Sequence, residues 1–70
     1  MHQNNTHNVV VEIKDKVHIY KEQLKKQSIT YLDDFLLSNV VFLEIDTNTL
    51  TKLKNNQDLN VRLQQTAKLM

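Results

Sequence analysis

The stretch YLDDFLLSNVVFLEI, residues 31–45, decides how this chain of 70 residues folds, since ten of its fifteen residues are hydrophobic. On a helical wheel with 100° per residue, five apolar side chains between residues 29 and 43 fall within about 80° of one another. Thr30 and Asp33 resemble a capping box, and Asp34 adds negative charge to a first helical turn. The pattern predicts a helix over residues 29–45 with the core stripe Ile29, Leu32, Leu36, Val40 and Leu43. The competing interpretation is a strand over VVFLEI, residues 40–45.

The predicted helix is apolar well beyond this stripe. Its aromatic residues, Tyr31, Phe35 and Phe42, share a neighbouring face, and Leu37, Val41 and Ile45 lie on a third face among acidic residues. A helix with apolar residues on several sides is normally buried on more than one side. We therefore expect a third helix or a second molecule to cover the aromatic face.

A second helix is predicted upstream, over residues 10–27. Apolar residues recur there in steps of three and four, which is the spacing of one helical stripe: Val10, Ile13, Val17, Tyr20, Leu24, with Gln27 closing the series. The β-branched run VVVEI, residues 9–13, is the competing strand. Residues 1–8 are polar and predict a disordered tail.

A third helical segment is predicted over residues 48–69. Asp46, Thr47 and Thr49 suit a turn and a helix N-cap. Leu50 and Leu53 then share one face, whereas a second set points roughly the opposite way: Leu59, Leu63, Ala67 and Met70. Residues 47–70 are therefore either one helix with changing neighbours or two helices, with a break at residues 55–58 and Asp58 as the second cap.

The composition favours helices and association. Glycine, proline and cysteine are all absent, which removes the usual residues of tight hairpins, excludes glycine-rich phosphate loops, and leaves no disulfide or thiolate metal site. A chain this short has a marginal core, and oligomerisation is a common remedy. We expect a single all-α domain over residues 9–70, a small antiparallel helical hairpin or three-helix bundle with coiled-coil-like packing, completed by dimerisation.

The charge is segregated along the chain. Residues 1–28 carry five lysines and three acids, residues 29–46 carry four acids and no basic residue, and residues 47–70 carry four basic residues and one acid. Lys14, Lys21 and Lys25, at helical spacing with His18, are candidate contacts to phosphates or to an acidic partner. Lys52, Lys54 and Arg62 form a second such set. The alternative for the first set is the solvated flank of an amphipathic helix, and a single arginine argues against base-specific readout.

No residue pattern indicates a catalytic, cofactor or metal site. Serine and histidine residues are not arranged as a nucleophile with an oriented base, and His2, His7 and His18 share no ligand spacing with a carboxylate or cysteine. No apolar run reaches the length of a signal sequence or a membrane span. We expect a cytoplasmic, non-enzymatic protein without cofactor, and the preference for lysine and asparagine is typical of an AT-rich genome such as that of a low-GC bacterium or its phage.

The sequence thus predicts a small protein–protein interaction module that self-associates, or binds and modulates a larger protein, through the apolar surface of residues 29–45. The predicted interface residues are large and apolar, since such side chains concentrate binding energy: Tyr31, Phe35, Phe42, Leu59 and Leu63. One alternative is a small dimeric DNA-binding regulator, including a ribbon-helix-helix dimer with VVVEI as its strand. Another is a structural subunit of a helical or coiled-coil assembly.

Overall fold

The computed structural model describes residues 5–64, which form four strands and two helices. In chain order these are β1 (Thr6–Ile13), α1 (Val17–Gln27), β2 (Thr30–Asp33), β3 (Val40–Asp46), α2 (Thr47–Lys54) and β4 (Leu59–Leu63). The strands hold β-branched and aromatic residues at high density, as in VVVEI of β1 and VVFLEI of β3, and these residue types fit a pleated, half-buried surface.

The strands form a single antiparallel sheet in the order β2-β3-β1-β4. The long strands β1 and β3 are central, and the short strands β2 and β4 are the edges. A β-α-β-β-α-β chain with this strand order has the split βαβ, or ferredoxin-like, topology. That topology supports many unrelated functions, so it defines the scaffold and leaves the function to be argued from the surface.

Both helices pack on one face of the sheet, and the core lies between. Alternate residues of the central strands, Val9, Val11 and Ile13 in β1 with Val41, Leu43 and Ile45 in β3, point into it and are buried. Leu24 of α1, Leu50 and Leu53 of α2, and Leu59 of β4 complete the cluster. The intervening residues of each strand point to the opposite face, which neither α1 nor α2 covers.

The expected all-α fold is wrong, and with it the helical hairpin, three-helix bundle and coiled coil. Residues 29–45 do not form a helix: they contain β2, a six-residue loop and β3. The competing strand over residues 40–45 is the correct interpretation. Of the predicted stripe, only Val40 and Leu43 are buried, and they belong to opposite faces of β3.

The predicted helices over residues 10–27 and 48–69 are each correct in part. Residues 9–13 belong to β1, so the VVVEI strand is confirmed, while α1 supplies the later part of the predicted stripe as Val17, Tyr20 and Leu24. Asp46 does cap α2, accepting from the Thr49 amide at 2.8 Å. The helix ends at Lys54 where a break was predicted, but a strand follows Asp58 and not a second helix.

Two predictions concern residues at the ends of the chain. Of the predicted disordered tail, residues 6–8 already belong to β1, and residues 1–4 lie outside the described residues. The end of the predicted last helix, with Ala67, falls outside them as well, as does Met70.

Turns without glycine are made by aspartate and asparagine side chains. Asp34 Oδ1 accepts the amides of Leu36 at 2.6 Å and Leu37 at 2.8 Å, and Asn56 Oδ1 accepts the amide of Asp58 at 2.9 Å. Such side-chain acceptors mimic a backbone turn. Lys16, just before α1, takes a left-handed conformation with φ 55° and ψ 50°, a region that glycine would enter at lower cost.

Candidate protein-binding surface

The face of the sheet away from the helices, here called the open face, has an apolar centre. The strand pairing aligns Leu32 of β2, Phe42 of β3, Val10 of β1 and Arg62 of β4 in one row across the sheet. Leu32 is exposed, and Phe42 and Val10 are half-buried. The apolar row is therefore accessible in the monomer and ends at a basic residue.

The rows on either side of this apolar row are mainly polar, and each contains a glutamate. One row contains Thr30, Glu44 and Asn8, and the other contains Val40, Glu12 and Asn60. Asp34 extends the second row, because its amide donates to the Val40 carbonyl at 3.0 Å. An apolar strip flanked by carboxylates on both sides is the main chemical feature of the open face.

The β2–β3 loop, residues 34–39, borders this face and adds further apolar area. Phe35 is 93% exposed and Leu36 82% exposed, so neither contributes appreciably to the core. Leu37, also exposed, lines the same depression as Val10 and Phe42. We call Leu32, Phe35, Leu36, Leu37 and Phe42 the apolar patch. A contiguous exposed apolar patch on a small protein is typical of an interaction site.

Phe42 lies at the centre of the surface relief. A shallow depression of about 450 Å³ on one side is lined by Val10, Glu12, Leu37 and Arg62, among others. A second, of about 270 Å³, lies between Phe42 and the loop residues Phe35 and Leu36, and Phe42 also lines a third depression near Thr30 and Glu44. These hollows are open to solvent and suit side chains of a partner better than an enclosed small molecule.

The structure brings together two of the five predicted interface residues. Phe35 and Phe42 line one depression. The sequence predicts both on one face of a helix, whereas Phe35 lies in a loop and Phe42 in a strand. Leu59 is buried in the core at 5% exposure, so its side chain is not accessible to a partner. Leu63 is exposed, but its pairing with Val9 places it on the helix-covered side of the sheet.

Tyr31 also lies on the helix side, where it packs against the core and takes part in a polar cluster. Its hydroxyl donates to Asp33 Oδ1 at 3.0 Å, and Lys21 Nζ lies 3.2 Å from the same oxygen. Burial, together with the Asp33 carboxylate, raises the pKa of Tyr31 to about 12. The hydrogen bonds from Lys21 and Tyr31 lower the pKa of Asp33. This cluster fixes α1 to the edge strand and explains the position of Tyr31 without a partner.

The candidate phosphate contacts do not form the predicted stripe. Lys14 precedes α1, so only Lys21 and Lys25 lie on that helix. Lys21 is paired with Asp33, and Lys25 Nζ lies 5.5 Å from the centre of the Tyr31 ring. The second set is also divided, because Lys52 and Lys54 are on α2 and Arg62 is on the open face. Lys14 is therefore not part of a helical stripe with Lys21 and Lys25, and the second set is divided between α2 and β4.

The part of the chain that the structure describes bears on two further kinds of feature, a metal-binding cluster and a membrane-spanning helix. Residues 5–64 contain no group of three or more histidine, aspartate or glutamate side chains placed to hold a metal ion. None of the helices described is long and apolar enough to span a bilayer. No protein family, no curated protein and no solved structure gives a significant match to the chain.

Sequence reasoning found the aromatic members of the patch and missed the aliphatic ones. Leu32 and Leu36 were predicted to be core because they fit a helical stripe, yet they are 61% and 82% exposed. One sequence signal indicates the loop: turn-forming residues lie on both sides of FLL, Asp33-Asp34 before it and Ser38-Asn39 after it. That bracket is typical of a loop between two strands.

Proposed function

We propose that the protein is a small non-enzymatic interaction module that binds another protein through the apolar patch and the adjoining open face. The observation that carries the proposal is the exposure of Phe35 and Leu36 at the tip of the β2–β3 loop. Residues 5–64 leave both side chains in contact with water, and a docked partner would bury them. Burying a side chain of this size stabilises a complex by about 1.5–3 kcal/mol.

The shape of the surface supports a protein as the partner. The apolar patch continues from the loop onto Phe42 and Leu32 of the sheet, and shallow hollows flank Phe42. An apolar centre with a polar rim is the usual composition of a protein interface. Phe42 and Phe35 are the side chains expected to dominate the binding energy, because aromatic anchors in hollows are the commonest hot spots.

The charge of the open face favours a different protein over a second copy of this chain. Glu12, Asp34 and Glu44 lie on it or at its border, whereas Arg62 is the single basic residue among its paired strand positions. Two such faces packed together would bring like charges into contact, which opposes association. A regulator that binds its partner transiently and a structural subunit of a permanent assembly would both bind through this surface, so the proposal covers both roles.

The proposal is tested by affinity capture from an extract of the native host, followed by quantitative mass spectrometry. The test variant is Phe35→Ser with Leu36→Ser. The matched control is Ile19→Ser with Ile29→Ser, which removes two exposed apolar side chains outside the patch. All four side chains are exposed, so both variants are expected to fold, as a ¹H–¹⁵N correlation spectrum would verify.

We expect a protein that is captured by the wild type and by the control but recovered at least about tenfold less with the test variant. Two hot-spot truncations of more than 1 kcal/mol each correspond to a change of about this size or more. Equal recovery of every captured protein with the test variant and the control would rule out the patch as the docking site.

A further inference from the structure

The charge layout of the open face specifies the chemistry of the segment that binds it. We infer that the partner contributes a basic amphipathic helix, which lies across the strands with its apolar stripe on Phe42 and lysine or arginine residues on both flanks. This inference rests on the proposed function, because it names the class of partner for the same surface.

The first support is the spacing of the rows. Glu44 and Glu12 lie in the rows on either side of the apolar row Leu32–Phe42–Val10. Four residue steps along a strand separate the two flanking rows, which is about 13 Å at the rise of a β-strand. A helix is about 10–12 Å across with its side chains. A helix on the apolar row therefore places its two flanks above the two acidic rows.

The second support is that no basic side chain of this chain satisfies these carboxylates within the described residues. Glu44 accepts from the Thr6 and Thr30 hydroxyls at 3.0 and 3.2 Å, and Glu12 from the Asn60 amide at 3.4 Å. Asp34 accepts from the backbone amides of the loop. Across residues 5–64 the one ion pair is Lys21–Asp33, on the helix side. An ionised carboxylate has about four acceptor positions, so each acid retains capacity for a donor from the partner.

The third support is the segregation of basic residues to other parts of the molecule. The seven lysines of the described chain lie in α1, in α2 or in the β1–α1 connection. Among the paired strand positions of the open face, Arg62, at the end of the apolar row, is the single basic residue. An acidic helix would meet the unneutralised carboxylates here and would be attracted instead toward the lysines on the helix side.

The test is a titration of the full-length protein with two synthetic helical peptides, followed by ¹H–¹⁵N correlation spectra. Each peptide has about 14 residues, roughly 21 Å of helix, and carries the same leucine stripe. One has lysine at every flanking position and the other has glutamate there. We expect the lysine–leucine peptide to shift the amides of Val10, Leu32 and Phe42, with an affinity for this face at least about tenfold higher than that of the glutamate–leucine peptide.

Two variants separate charge recognition from apolar adhesion. Glu12→Gln with Glu44→Gln is expected to weaken binding of the lysine–leucine peptide about fivefold, the size expected for two exposed charge contacts. Glu22→Gln, which removes an exposed acid on α1, serves as the control and is expected to leave the affinity unchanged.

The inference is overturned if the glutamate–leucine peptide binds the same amides equally well, if the lysine–leucine peptide shifts only α1 and α2, or if neither peptide shifts the open face at about 1 mM. Its failure can be told apart from that of the proposed function. If the inference alone fails, affinity capture still depends on Phe35 and Leu36, and the partner has another charge. If the proposed function fails, capture is independent of both residues.

Discussion

Val41 and Phe42 are adjacent in the chain but lie on opposite faces of the sheet. Val41 is fully buried beneath the helices, whereas Phe42 is half-buried among the hollows of the open face. Because side chains of a strand alternate between faces, Val41 marks the face of β3 that packs in the core and Phe42 marks the face that is accessible to a partner.

Substitutions at these two positions are expected to differ in their effect on stability. Val41→Ala removes two buried methyl groups and should lower the free energy of unfolding by about 2 kcal/mol. Phe42→Thr keeps a β-branched residue in the strand and should cost about 1 kcal/mol or less. Urea denaturation followed by circular dichroism measures both values. A larger cost at Phe42 than at Val41 would contradict the assignment of the two faces.

The hydroxyl of Tyr20 should contribute measurably to stability, because it ties α1 to the loop before β4. It donates to Asp58 Oδ2 at 2.9 Å and accepts from Asn56 Nδ2 at 3.3 Å. Tyr20→Phe is expected to cost about 1 kcal/mol, the usual value of one net hydrogen bond. In a double-mutant cycle with Asp58→Ala, which removes the acceptor, the coupling energy should be about 0.5–1.5 kcal/mol. Strictly additive effects of the two substitutions would show that the contact is absent.

Lys16→Gly should stabilise the protein. The residue has a positive φ of 55°, which costs a residue with a Cβ about 1 kcal/mol that glycine avoids. We expect the urea midpoint to rise by an amount equivalent to about 0.5–1 kcal/mol. The control is Lys26→Gly, in the last turn of α1, which should destabilise by a similar amount because glycine lowers helix propensity. A loss of stability with Lys16→Gly would argue against the left-handed conformation.

Tyr31 should ionise at unusually high pH. In a Tyr20→Phe background it is the only tyrosine, so absorbance at 295 nm reports its titration alone. We expect a midpoint near a pKa of about 12, raised first by burial and then by the Asp33 carboxylate. Asp33→Asn should lower this pKa while leaving it above the ordinary value, since burial remains. A midpoint at the ordinary pKa of tyrosine, about 10, would mean that the side chain is not packed as described.

The same titration predicts a pH dependence of stability. Because the pKa of Tyr31 is higher in the folded state than in the unfolded state, its contribution to stability is complete below the unfolded pKa and is lost as pH rises from there through about 12. The urea midpoint of the wild type should therefore fall over this alkaline range. Tyr31→Phe should remove that part of the fall, and an identical pH profile in this variant would contradict the assignment.

Helix ends could be predicted from the sequence, whereas the apolar pattern of the strands was wrongly assigned to helices. The Asp46 cap and the break after Lys54 follow from side-chain chemistry that acts within a few residues, and both are present. Leu59 and Leu63 share a face as predicted, but a spacing of four is an even number. It therefore places two residues on one side of a strand as well as on one side of a helix.

The absence of glycine misled the fold prediction for a physical reason. Hairpins usually need glycine where φ is positive, so a chain without it favours helices. Here a six-residue loop held by the Asp34 side chain connects β2 to β3, and it avoids a tight turn altogether. Phe35 and Leu36 are exposed because they lie in that loop. A helical wheel assigns Leu36 to a buried stripe, so it could not place the candidate site correctly.

The most direct test of the central claim, that the apolar patch is where another protein docks, is site-specific photocrosslinking in the native host. A photoreactive benzoylphenylalanine replaces Phe35 in one strain and Ile19, an exposed residue of α1, in a second strain. We predict a discrete crosslinked protein from position 35 that is absent from position 19. No crosslink from position 35, or the same product from both positions, would contradict the claim.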